Sequence, residues 1–212
     1  SPHRYITDNF DKIHTAGIHC NVEQAIKATL VLDLEKSFHF HMEQAWEDTI
    51  VEKAKYPFWI GIDKPKLKNN YDHLLHIPNF YEFKHNKDVV DNNIVGFAAR
   101  METRKCPHFL QGIKSELTTD PKDVLWWKRN LNIDTTDWKI YKFNYEFLGK
   151  FYNRDWGISH SAHIFEPFGY SIFQAIDYGK LPILAKDWLT EYDYPFRAQS
   201  PEEFKEQYEK IC

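Results

Sequence analysis

From Asn93 to the end of the chain, short apolar runs alternate with amphipathic stretches. That alternation constrains the fold more than any other feature of the sequence. "NIVGFAAR" (93–100), "WKIYKF" (138–143), "WGISHS" (156–161) and "LPILAKD" (181–187) predict strands. Between them, "CPHFLQGIKSEL" (106–117), "DPKDVLWWKRNL" (120–131), "YEFLGKFYN" (145–153) and "FGYSIFQAIDYG" (168–179) predict helices, and "SPEEFKEQYEKI" (200–211) predicts a last one. Local signals punctuate them. Asp120 stands as an N-cap before Pro121 at the first helical position, Gly179 closes a helix, and Ser200 with Glu203 forms a capping box. Such alternation specifies an α/β fold, a Rossmann-like, mostly parallel sheet with helices on both faces. Ligands of such sheets bind beyond the carboxyl ends of the strands, where Arg100, Ser161 and the residues after Phe143 fall.

The first third is less regular. "NVEQAIKATL" (21–30) and "EQAWEDTIVEKAKY" (43–56) have helical spacing, with Asn21 as an N-cap. "VLDLE" (31–35), "SFHFHM" (37–42), "PFWIGI" (57–62) and "HLLHIPN" (73–79) predict strands, the last ended by Pro78. The polar "EFKHNKDVVDN" (82–92) is expected to be an interdomain linker, dividing the chain into 1–86 and 87–212.

The bulk composition excludes several classes. The 212 residues carry a net charge of −4, so no global basic field holds nucleic acid. No apolar run approaches the ~20 residues of a membrane span. Three cysteines, Cys20, Cys106 and Cys212, lack metal or redox spacing and suit free thiols in a reducing, cytoplasmic compartment. The chain does not begin with Met, which suits a processed or truncated start. Its content of Asn, Lys, Ile, Phe and Tyr suits an AT-rich genome, viral ones included.

"EPFGYSIFQAIDYGKLPI" (166–183) carries the sharpest chemical signal. Glu166 precedes a helix whose first N–H groups lack intrahelical partners and whose end carries partial positive charge. Gly169 permits a close backbone approach, and Gln174 shares a helix face with Tyr170 and Ser171. An anion site beside hydroxyl-binding groups is the profile of a sugar nucleotide. A buried helix start with an incidental acid is the plain alternative. Arg100 at a strand end and Lys105 before the next helix suit a diphosphate, as a planar fork and a point charge, or are two solvated surface charges.

In this order the stretches resemble the nucleotide-sugar-binding half of the retaining GT-B glycosyltransferases, the superfamily of glycogen synthase and sucrose synthase. "HIPNFYEF" (76–83) is similar to its strand–Ile-Pro-Asn segment. "IVGFAARMETRKCPHFLQGI" (94–113) is similar to its Gly-x-x-x-Arg…Lys-Gly segment, and 152–187 to its Ser…Glu-Pro-Phe-Gly…Gly-x-Pro-Val signature. The resemblance implies that 87–212 is the nucleotide-sugar-binding domain and 1–86 a reduced or partial acceptor-side region. It implies that Arg100 and Lys105 hold the donor diphosphate and Glu166 the sugar hydroxyls, with catalytic roles. Phe168, Gly169, Tyr170 and Ser171 would contact sugar and phosphate, Gln174 the ribose, and Phe143 and Asn144 the base. His39 or His41 would serve on the acceptor side. The donor would be a nucleoside diphosphate sugar, the acceptor a glycan, lipid, protein or modified DNA base, and no cofactor or metal would be needed. Two departures stand out: Cys106 replaces the Gly after Lys, and Gln174 replaces a Glu. A module that binds the nucleotide sugar without catalysis is the alternative, and a zinc site on the paired histidines ranks below both.

Overall fold

The computed structural model describes residues 16–19, 38–41, 52, 56–61, 69, 71–78, 81–164 and 169–212. The chain forms two compact units that divide between Phe80 and Tyr81. In the first, strands β1 (Ala16–His19), β2 (Phe38–His41), β3 (Tyr56–Gly61) and β4 (Leu75–Pro78) form a parallel sheet in the order β1-β2-β3-β4. Strands β2, β3 and β4 fall where alternation predicts them. The helical readings of 21–30 and 43–56, and the strand at 31–35, lie almost wholly outside the described residues.

The second unit holds β5 (Val95–Phe97), β6 (Ser115–Thr119), α1 (Pro121–Leu131), β7 (Trp138–Lys142), α2 (Tyr145–Tyr152), β8 (Ile158–Ser161), α3 (Tyr170–Asp177), β9 (Leu181–Ala185), β10 (Arg197–Ala198) and α4 (Pro201–Ile211). Its strand order is β10-β9-β8-β5-β6-β7, with every pairing parallel. The chain winds outward from β5 in one direction, returns, and winds outward from β8 in the other. The reversal therefore lies between β5 and β8, and in sheets of this kind ligands bind beyond the carboxyl ends of the strands near such a point.

Successive residues of a strand face opposite ways, and β5 shows it. Val95 and Phe97 join one apolar cluster with Val124 and Trp127 of α1 and Phe204 of α4. Ile94 and Ala98 join a second cluster with Phe151 and Tyr152 of α2 and Ala175 of α3. Each fully buried large side chain contributes roughly 1.5–3 kcal/mol, so both faces of the sheet need their helices. Three tryptophans spend their indole N–H on backbone carbonyls: Trp127 on Met101 at 2.8 Å, Trp138 on Leu110 at 2.9 Å and Trp156 on Phe151 at 2.9 Å.

Two helix caps sit where the sequence places them: Asp120 accepts from Lys122 N–H and Ser200 from Glu203 N–H. A third cap, Asn144, accepts from Glu146 N–H and is not among those expected. The stretch 106–117 is different from the expected helix. It holds one 3-10 turn (Pro107–Leu110), a glycine at φ +72°, Gly112, and then β6. Strand β6 is buried along its whole length although four of its five residues are polar. Ser115 Oγ donates to the Ile113 carbonyl, and Glu116 pairs with Arg154. Thr118 Oγ1 and Thr119 Oγ1 are buried without a hydrogen-bond partner among the described residues, and these four polar residues concealed a central strand from a hydrophobicity pattern.

The expected linker is also different. Residues 81–92 form neither helix nor strand, yet they are fastened to the second unit. Asp177, 2% exposed, accepts from Tyr81 Oη at 2.7 Å, Lys84 N–H at 2.8 Å and His85 N–H at 3.0 Å. Val90 N–H donates to the Gly179 carbonyl at 2.8 Å. A Cβ at Gly179 would stand 1.8 Å from the Asp88 carbonyl oxygen, and its φ of +71° is left-handed. Helix α3 ends in a glycine for both reasons.

Candidate functional site

A cavity of about 490 Å³ opens at the carboxyl ends of β5, β6 and β7, beside the start of α3. Arg100, Lys105, Phe143 and Ser171, four of the residues singled out in the sequence, line it together. Arg104 and Lys142 add two more cations, and Glu102, Asp120 and Asp123 supply carboxylates. Two of those carboxylates are already engaged. Asp120 caps α1. Glu102 accepts from Arg100 Nη1 at 3.3 Å and Arg104 Nε at 2.7 Å. Burial opposes ionisation of Glu102, but the two guanidiniums outweigh it and hold its pKa below the usual range. The Arg100 side chain is 84% exposed, which leaves the guanidinium reachable from solvent.

Local sequence explains how the cations arrive. Strand β5 ends after Phe97, and Trp127 pins the Met101 carbonyl between Arg100 and Glu102. A single 3-10 turn (Thr103–Lys105) then delivers Lys105. It closes on Cys106 at φ 51°, ψ 44°, the left-handed region that glycine occupies without cost. The Gly expected there is absent, yet the backbone keeps the conformation.

On the other side of the strand reversal, the segment after β8 runs back toward this turn. Lys105 Nζ lies 3.4 Å from His163 Nδ1. An ammonium only donates, so this imidazole nitrogen accepts. Ile164 N–H donates to the Arg104 carbonyl at 2.8 Å.

The remaining residues take distinct places. Gly169 is the N-cap of α3 at φ +64°. What approaches it closely is Trp188, whose ring carbon would lie 2.6 Å from a Cβ there. Asn144 caps α2 with its side chain. Phe143 and Tyr145 are both exposed and meet edge to face at 5.0 Å. Tyr170 is exposed, and Gln174 is half-buried one turn into α3; neither is among the described residues lining the cavity. Glu166 and Phe168 lie outside the described residues, between Ile164 and Gly169. His39 and His41 occupy alternate positions of β2. Among the described residues, no three His, Cys, Asp or Glu side chains gather as a metal ion would need, and no helix is long and apolar enough to cross a membrane.

Sequence reading missed Arg104, Lys142 and Tyr145. Lys142 ends β7 immediately before Phe143, so the strand-end rule that found Arg100 applies to it equally. Arg104 was masked by the Lys beside it, and Thr119 was lost with β6.

The second unit is thus a doubly wound α/β domain with a cation-lined crevice at its strand reversal, and the chain has the GT-B glycosyltransferase fold. Solved structures similar to it include an S. aureus TarM variant in complex with fondaparinux, α-GlcNAc-glycerol and UDP. The TM-score is 0.67 at 13% identity, over 92% of this chain and 48% of that one. The pneumococcal O-GlcNAc transferase GtfA, in complex with UDP and GlcNAc, matches with a TM-score of 0.58 at 12% identity, over 99% of this chain and 52% of that one. Sucrose-phosphate synthase from Thermosynechococcus elongatus gives 0.56 at 15% identity, over 90% and 61%. The chain therefore spans roughly half the length of the first two. No protein-family profile and no curated protein sequence matches it.

Proposed function

We propose that this chain binds a nucleoside diphosphate sugar and transfers its hexose to an acceptor with retention of anomeric configuration. The observation that carries the reading is the convergence of Arg100, Lys105 and the α3 start at Ser171 on one cavity, at the strand reversal. That UDP is present in the TarM and GtfA complexes supports it.

In this reading, Arg100 and Lys105 neutralise the diphosphate as the glycosidic bond to it breaks. Charge accumulates on the leaving oxygen, and donors fixed in place stabilise it more in the transition state than in the ground state. Arg104, Lys142 and the α3 N-terminus add to that field, so the site works without a metal or cofactor. Glu166 holds the sugar hydroxyls, with Phe168, Gly169 and Tyr170 around sugar and phosphate. Phe143 flanks the base beside Asn144, and Gln174 receives the ribose. His39 or His41 serves the acceptor side. The protein acts in the cytoplasm.

Gln174 favours one second reading, a module that binds the nucleotide sugar without transferring it. An amide binds ribose hydroxyls as a neutral donor and acceptor, without the charge of the family's Glu.

A thermal-shift panel of UDP, GDP, ADP and their sugars, run on the full chain, tests the binding and selects the base. Stabilisation by one nucleoside diphosphate series is expected. No shift with any of them removes the reading. Donor hydrolysis or transfer, measured with and without EDTA, separates the enzyme from the binding module and tests metal independence.

A further inference from the structure

We propose that His160 is a positioning residue for Lys105: its buried imidazole holds the left-handed turn at Cys106 and thereby fixes where the lysine stands in the cavity. The inference rests on the donor-site reading above and adds a residue that touches neither donor nor acceptor.

The segment 160–164 grips three consecutive residues of the cation turn. His160 Nε2 meets the Cys106 carbonyl at 2.8 Å, His163 Nδ1 meets Lys105 Nζ at 3.4 Å, and Ile164 N–H meets the Arg104 carbonyl at 2.8 Å. Of these, the contact from His160 is the one made by a side chain to the strained residue. A non-glycine residue in the left-handed region costs roughly 1–2 kcal/mol, so Cys106 keeps that conformation only where its surroundings hold it. The Cys106 carbonyl accepts from Phe109 N–H at 3.0 Å within the following 3-10 turn, and the His160 Nε2 N–H takes its second lone pair, a side-chain hold that comes from a different strand.

The tautomer follows from the second nitrogen. Ala162 N–H donates to His160 Nδ1 at 3.3 Å, so Nδ1 is the acceptor and Nε2 carries the proton. The ring cannot tilt freely. It stacks on Phe109 at 5.8 Å with planes 3° apart, and Phe97 and Phe204 close around it. An aliphatic side chain would fill this apolar pocket without desolvating two nitrogens. What an imidazole adds is a directed N–H on the turn that carries Lys105.

The test compares His160→Phe with His160→Gln in the full chain. Phe keeps the aromatic stacking and loses both nitrogens, whereas the Gln amide can place an N–H near the Nε2 position. Binding is titrated with whichever of UDP, GDP or ADP the unmodified chain prefers, and with the matching nucleoside. H160F should weaken the diphosphate about tenfold while nucleoside affinity stays within about twofold, since a group moved by about 1 Å loses most of its interaction. H160Q should recover most of the loss. In a Lys105→Ala background, H160F should cost nothing further, because the group it positions is gone. Equal weakening of diphosphate and nucleoside, no weakening at all, or an undiminished effect without Lys105 each overturns the proposal. Should the H160F chain fail to fold, H160Q and His160→Asn carry the same comparison: the shorter Asn amide cannot reach the Cys106 carbonyl, so it should lose what Gln keeps. If the unmodified chain binds no nucleoside diphosphate, the donor-site reading itself fails, and this inference falls with it. If it binds and Lys105→Ala weakens binding while H160F does not, only the inference fails.

Discussion

The hydroxyl of Tyr81 donates to Asp177 Oδ2 at 2.7 Å, tying the first residue of the second unit to the last turn of the helix that begins at the candidate site. The same carboxylate accepts two backbone N–H groups from Lys84 and His85. Burial opposes its ionisation, but these three donors outweigh it and hold its pKa below the usual carboxylate range. Tyr81 is correspondingly raised, by burial first and then by the carboxylate it serves. Asp177→Ala would strand a hydroxyl and two partly buried backbone N–H groups. The expected cost is about 2–4 kcal/mol, read as a fall in the urea midpoint with an unchanged slope.

Arg100 and Lys105 carry the donor-site reading. Arg100→Ala and Lys105→Ala should each lower transfer about 100-fold or more, in line with the loss of one preorganised charge donor. Arg100 is exposed, so its variant should keep the melting temperature of the parent chain. Full turnover in both variants would remove the assignment.

Phe143, 41% exposed at the cavity edge, offers a flat apolar surface to a base. Stacking of a base on an aromatic ring is worth about 1–3 kcal/mol. Phe143→Ala should therefore weaken nucleoside and nucleoside diphosphate by the same factor, roughly tenfold. Loss of the diphosphate alone would place the base elsewhere.

Cys106 tests the strain in the cation turn. Its side chain is buried, so removing it costs packing in any variant. Glycine recovers the left-handed penalty of roughly 1–2 kcal/mol, and alanine does not. Cys106→Gly should thus be about 1 kcal/mol more stable than Cys106→Ala, the reverse of the order in a helix interior. Calorimetry of the two variants decides it.

His160 predicts a pH dependence of stability. Burial, with a smaller push from His163, lowers its pKa to about 3, against about 6.5 for an exposed imidazole. Between those values the unfolded chain binds the proton that the folded chain refuses. The stabilisation is complete above pH 6.5 and declines as pH falls through 6.5 toward 3. His160→Gln should flatten that part of the acid limb, measured by denaturant titration across the window.

The local signals in the sequence held well. Asp120, Ser200 and Gly179 act within three or four residues of themselves, so their neighbours in the chain suffice to reveal them. The strand-end rule placed Arg100 and Phe143 at one cavity, because parallel strands share a direction and their ends share an edge, whereas Ser161, which the same rule named, is not among the described residues that line it. Strand β6 escaped notice because Ser115, Glu116, Thr118 and Thr119 read as polar, while Arg154, 38 residues from Glu116, makes its burial affordable. The stretch 82–92 reads as a linker for the same reason: Asp177, which accepts from its Lys84 and His85 N–H groups, lies 93 and 92 residues further on.

By itself the sequence determined the caps at Asp120 and Ser200, most of the strands, the α/β class of the second unit and four of the side chains that line the cavity. Only the tertiary structure decided that Cys106 is left-handed, that His160 serves its carbonyl, and that the polar stretch after Phe80 is fastened to α3. Capping and periodicity are encoded in neighbours a few residues apart. A hydrogen bond between His160 and Cys106 spans 54 residues, and it exists because β8 and β5 are adjacent in the sheet.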